Sequence, residues 1–156
     1  METTPAMDER YMRLALDQAR LAAVHGEVPA GAVMVRDSEV IGTGYNLTRR
    51  LQDATAHAEM LAMRRAAERL GYWYFERCTL YVTLEPCIMC AGALVLARLE
   101  RLVFGATEPK FGGCGSIFNI VRERRLNHKV EVTGGVLEDE CAGLMREFFR
   151  DIRNKS

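Results

Sequence analysis

Apolar positions Met12, Ala15, Leu16, Ala19, Ala22 and Ala23 recur at helical spacing, which predicts an amphipathic helix from Asp8 that His25-Gly26 stops. The pattern then shortens. Ala30 to Val35 is a compact apolar run, Arg36-Asp37-Ser38-Glu39 a polar turn, and Val40 to Tyr45 a second run, together predicting a β-hairpin. Asn46 to Ala54 is polar and irregular, and Thr55 is placed to cap a helix from about Ala56 to Leu70 that Gly71 ends. Thr79 to Leu84 is a strand by its β-branched and aromatic content. Pro86 suits the first position of a helix over Cys87 to about Arg98. Arg101 to Gly105 predicts a fourth strand and Lys129 to Val132 a fifth, with a glycine-rich loop over Ala106–Asn119.

The final segment has the clearest period. Cys141, Leu144, Met145, Phe148, Phe149 and Ile152 form one apolar stripe, and Glu138, Asp139 and Glu140 complement the helix dipole in its first turn. Alternating helices and strands in this order predict a three-layer α/β/α fold with a central five-stranded mixed sheet. At 156 residues, and without repeats or linker-like tracts, the chain is expected to form one domain over 1–156, with residues up to about Met7 a loose tail.

Composition narrows the function classes. Apolar residues make up 49% and charged residues 27%, the balance of a globular protein, and no apolar run is long enough to cross a membrane. The N-terminus lacks the basic-then-apolar layout of a signal peptide, so a cytoplasmic location is expected. Twenty-one basic and 21 acidic residues cancel, so a nucleic-acid partner would need a local patch. Arg122, Arg124, Arg125, His128 and Lys129 form such a cluster, equally consistent with a solvated face and with phosphate contacts. Five cysteines, two of them three residues apart, favour reduced thiols and a metal pair over a disulfide framework.

The chemistry lies in Thr55-Ala56-His57-Ala58-Glu59 and in Glu85-Pro86-Cys87-Ile88-Met89-Cys90. One imidazole and two thiolates suit Zn2+ and leave its fourth position open, as catalysis requires. Cys87 and Cys90 share one helix face near a helix start, where the dipole favours thiolate. His57 and Glu59 lie about 200° apart on an ideal helix, so the carboxylate is free to move protons rather than bind the ion. The bland alternative is a structural zinc site closed by Cys78, Cys114, Cys141, His25 or His128. That alternative leaves Glu59 without a role.

His-x-Glu followed by Pro-Cys-x-x-Cys is the established signature of zinc nucleobase deaminases. With both motifs the chain resembles the cytidine-deaminase-like superfamily, and within it the bacterial tRNA-specific adenosine deaminases, from about Tyr11 to Phe149. The resemblance includes Glu27 to Val33, Tyr45-Asn46, Val103-Phe104-Gly105-Ala106, Gly134-Gly135-Val136-Leu137 and Glu147-Phe148-Phe149-Arg150. It implies a homodimer with one Zn2+ per subunit, acting on a tRNA anticodon stem-loop to convert wobble adenosine to inosine. It further implies that Asn46 binds the purine, that the Ala58 backbone N–H holds the base or the attacking oxygen, and that Glu85 offers its carbonyl.

Three positions depart from the family pattern: Ala54 replaces a proline, Glu108 replaces an aspartate, and Phe111 is bulkier than usual. Glu108 would reach a flanking ribose, while Phe148 packs inward and Phe149 lies near the substrate mouth. A deaminase of a free base or nucleoside, such as guanine or cytosine, would share the zinc ligands and Glu59.

Overall fold

The computed structural model describes residues 3–155. Helix α1 spans Pro5–Val24 with proline in its first turn, and its N-cap Thr4 accepts the Met7 N–H at 3.2 Å. The expected loose tail through Met7 is therefore corrected. Pro5, Ala6 and Met7 are helical because the Thr-Pro pair starts the helix earlier than the apolar period shows, and Met1 and Glu2 lie outside the described residues.

Strands β1 (Gly31–Arg36) and β2 (Glu39–Tyr45) form the predicted hairpin. Its two turn residues, Asp37 and Ser38, have φ values of 50° and 63°, the left-handed pair that a two-residue hairpin needs. Short helix α2 (Thr48–Leu51) follows, then α3 (Ala58–Leu70), β3 (Cys78–Leu84), α4 (Ile88–Leu96) and β4 (Arg101–Ala106). A 3₁₀ turn at Ile120–Arg122, β5 (Glu131–Thr133) and α5 (Glu138–Lys155) complete the chain. Neither α2 nor the 3₁₀ turn is marked in the hydrophobic pattern. The sheet order is β2-β1-β3-β4-β5, antiparallel on the hairpin side and parallel from β3 to β5, as a mixed sheet should be.

Alternation along the strands divides the core. Ala32, Met34, Leu80, Val82, Leu102 and Phe104 face one way, into the cluster with α3 and α4. Val33, Val35, Tyr81 and Val103 face the other way, against Tyr11, Met12, Ala15 and Leu16 of α1 and Cys141 of α5. Asp8, on the buried face of α1, accepts both Arg101 guanidinium nitrogens at 2.8 Å and the Tyr81 hydroxyl at 3.0 Å, fastening α1 to the start of β4. Among the described residues no helix is long and apolar enough to cross a membrane.

The stripe on α5 is only partly covered. Cys141 is buried, Leu144, Met145 and Phe148 are half-buried, and Phe149 and Ile152 are 41% and 45% exposed. The first turns of the helix press Cys141 against Gly105 of β4, and coverage fades towards the other end.

The seam that sets α3 over β2 matters most for the site. A Cβ on Gly44 would fall 2.5 Å from the Ala58 carbonyl oxygen, and one on Gly42 would fall 2.5 Å from that of Ala62. Only glycine lets the helix start lie this close to the sheet. Gly44→Ala is expected to destabilise the fold by roughly 1–3 kcal/mol through overpacking, read as a lower urea midpoint at unchanged m-value. An unchanged midpoint would show that α3 shifts freely.

Candidate active site

His57 is the N-cap of α3 and Cys87 the N-cap of α4, one residue earlier than the first-turn positions expected for each. The cap of α3 is accordingly not Thr55, which instead gives its N–H and hydroxyl to Asp53 at 2.8 and 2.7 Å. Neither His57 nor Cys87 makes the usual side-chain bond to its helix, so imidazole and thiol are free to face each other. His57 Nδ1 lies 3.6 Å from Cys87 Sγ and 3.5 Å from Cys90 Sγ.

Zinc bonds of about 2.3 Å to sulfur and about 2.1 Å to nitrogen at a tetrahedral angle imply N···S edges of about 3.6 Å. The three residues therefore fit Zn2+ in spacing as well as in ligand type. Among the described residues none of Cys78, Cys114, Cys141, His25 and His128 joins this group. A closed structural site is not formed.

The electrostatics match the geometry. Cys87 is pushed down to about 4 by hydrogen bonding from the Cys90 thiol and from His57, although burial opposes the shift. His57 is raised by its contact with Cys87, and Cys90 is raised by the neighbouring Cys87 sulfur and by burial. One thiolate forms first, at the start of a helix whose dipole favours it.

Glu59, in the first turn of α3, is 5% exposed, and burial pushes its carboxyl up to about 7. A carboxyl poised near neutrality both takes and gives protons at working pH. It opens on a pocket of about 370 Å³ that His57 and Cys87 also line, at the small end of ligand-site volumes and suited to one base.

Asn46, Ala58, Glu85 and Glu108 all line this pocket, as do Thr48, Ile88 and Phe111, which the motifs did not single out as substrate contacts. Ile88 was within reach of sequence reasoning, because it sits between the two cysteines at the helix start. Asn46 is buried, and its side-chain oxygen accepts the Thr48 N–H at 3.4 Å. Phe149 is not brought to the pocket; it packs edge-on against Phe148, which lines a separate hollow with Arg49 and Gly26.

The Glu85 side chain has a task the motif does not reveal: it accepts backbone N–H groups of the loop after β4. Burial would raise its carboxyl, but hydrogen bonds from the Ser116 hydroxyl and from the Glu108, Ser116 and Cys114 amides hold it below the ordinary carboxylate value. In the basic cluster, Arg125 pairs with Glu123, Arg122 donates to the Val130 carbonyl at 3.3 Å, and Lys129 donates to that of Arg124 at 3.4 Å. A ring nitrogen of His128 lies 2.7 Å from the Leu99 carbonyl oxygen. Much of that cluster therefore holds its own segment together.

A His-Cys-Cys group that could hold a metal ion, with a buried carboxyl beside it on this layered sheet, is the arrangement of the cytidine-deaminase-like class. A model of the MafB19-like deaminase family matches residues 6–153. The chain is 51% identical over 148 residues to a tRNA-specific adenosine deaminase of Bacillus subtilis, a match covering 95% of this chain and 92% of the relative. It therefore belongs to the tRNA-specific adenosine deaminase family. A solved structure from work on A-to-I editing by tRNA:A34 deaminases superposes with a TM-score of 0.83 at 44% identity, over 86% of this chain and 98% of that one. A guanine deaminase from Nitrosomonas europaea superposes with a TM-score of 0.78 at 25% identity, over 90% of this chain and 83% of that one.

Proposed function

We propose that this protein hydrolytically deaminates adenosine to inosine at the wobble position of a tRNA anticodon loop, working in the cytoplasm as a homodimer of single deaminase domains. The observation that carries the chemistry is Glu59, buried beside His57, Cys87 and Cys90 at the floor of a one-base pocket. The substrate rests on the tRNA-specific relatives. Their 42–51% identity, over most of the chain, outweighs the 25–35% identity to guanine deaminases, so a free-base substrate is the lesser reading.

His57, Cys87 and Cys90 would hold one Zn2+ per subunit, which when bound supplies Lewis acidity that brings the pKa of water towards neutrality. Glu59 accepts a proton from the attacking water and passes it to the ring nitrogen beside the amino-bearing carbon. It then relays the second proton to the amino group, which leaves as ammonia while the ring carbon keeps the oxygen. Asn46 positions the purine by hydrogen bonding, the Ala58 N–H holds the base or the incoming oxygen, and the Glu85 carbonyl accepts a hydrogen bond from the reacting group. Glu108 contacts a flanking ribose. Phe111, 64% exposed on the pocket rim, is better placed than Phe149 to stack on a neighbouring base. An anticodon loop presents its bases unpaired, which spares the cost of extracting one from a duplex.

Incubation with an adenosine-34 anticodon stem-loop, free adenosine, guanine and cytosine tests the substrate directly. Inosine is expected in the RNA only. Ammonia released from a free base and none from the stem-loop would replace this reading with the lesser one.

A further inference from the structure

Two buried carboxylates outside the chemistry flank the pocket, and we propose that Glu27 and Glu85 are paired positioning residues that hold its two walls in shape for the substrate. The substrate part of this inference rests on the proposed function; the anchoring does not. Glu27 is 1% exposed in the link between α1 and β1. Its two oxygens accept the Arg49 and Arg50 N–H groups at 3.1 and 2.7 Å, fixing α2, which starts at Thr48 two residues after Asn46; Asn46 and Thr48 both line the pocket.

Glu85 is 2% exposed between β3 and α4. It accepts the Glu108, Cys114 and Ser116 N–H groups at 3.0, 3.1 and 3.0 Å, and also the Ser116 hydroxyl. That loop carries Glu108 and Phe111 on the opposite wall. The packing leaves no slack, since a Cβ on Gly112 would lie 2.4 Å from a Glu85 carboxylate oxygen.

Both walls lack regular sheet hydrogen bonding, so their inward N–H groups need acceptors from elsewhere. A carboxylate is the one side chain that offers two oxygens and no donor. Both acceptors come from outside the segment they hold, 22 or more residues away in sequence, which ties each wall to the sheet frame that also carries His57 and Cys87. Exposed Arg49 and Arg50 are placed by the same anchor: Arg49 donates to the Gly26 carbonyl at 3.2 Å, and Arg50 lies 3.0 Å from the His25 ring nitrogen.

Glu27→Gln and Glu85→Gln keep the shape and turn one acceptor into a donor that faces N–H groups. Amide hydrogen exchange, zinc content and steady-state kinetics on the anticodon stem-loop are measured for each. In Glu85→Gln, exchange should accelerate about tenfold or more at Glu108, Cys114 and Ser116 but not at Arg49 and Arg50, and Glu27→Gln should give the converse. In Glu27→Gln, KM should rise about tenfold while kcat stays within about threefold and zinc remains bound, because the loss is in holding substrate rather than in chemistry. Ser116→Ala, a single change at an exposed position, should give the Glu85 pattern at smaller amplitude, and it decides the matter if Glu85→Gln unfolds. Unaltered exchange at these amides, or a fall in kcat at constant KM in Glu27→Gln, would overturn the proposal. If the unaltered protein ignores the stem-loop, the proposed substrate falls while the exchange pattern still decides the anchors.

Discussion

Replacing Glu59 with glutamine lowers kcat by about 10³-fold, within the range a positioned acid–base group contributes, while zinc stays bound. The amide has nearly the same shape, so the buried first turn of α3 keeps its packing, and His57 two residues earlier keeps its place at the N-cap. What disappears is the pocket-lining carboxylate that lies against His57 and Cys90. Single-turnover rates with equimolar metal, alongside zinc analysis of the same sample, separate this from loss of the ion. Activity surviving the substitution would remove Glu59 from the proton path.

Cys90→Ala acts earlier in the chain of causes. Cys90 is fully buried at the first turn of α4, and without it only His57 and Cys87 remain of the group. Metal affinity should fall by more than the 10–100-fold typical of losing an outer-shell partner, so the purified protein should hold little zinc and deamination should drop to background. Treating the unaltered protein with a chelator should reproduce that loss, and added zinc should reverse it. Full zinc occupancy in Cys90→Ala, measured by elemental analysis, would place the ion elsewhere.

The layered sheet was legible because strand alternation and helix period are local signals. Val33 and Met34, or Tyr81 and Val82, announce opposite faces by adjacency alone. The grouping of His57, Cys87 and Cys90 was legible for a different reason: a metal-binding set constrains residue types and spacing. Long-range hydrogen bonding left no such mark. Asp8 finds Arg101 93 positions away, and Glu27 fixes α2 from 22 positions away. Nothing beside Glu85 in the sequence shows that its carboxylate holds the loop carrying Glu108.

Periodicity also misled at α5. It groups Cys141, Leu144, Phe148 and Ile152 on one face correctly, but it cannot say how far the sheet extends beneath them. Phe149, expected near the substrate mouth although the period puts it on the apolar stripe, does not line the pocket, while Phe111, marked only by its bulk, stands on its rim.

Hydrolysis at a single base is the central claim, and the fate of the water oxygen tests it most directly. The zinc-loaded protein is incubated with an adenosine-34 anticodon stem-loop in oxygen-18 water, and the RNA is digested and weighed by mass spectrometry. One labelled oxygen in the wobble nucleotide, with an equal amount of ammonia released, is the predicted result. An unlabelled wobble base, or label at another position, would contradict it.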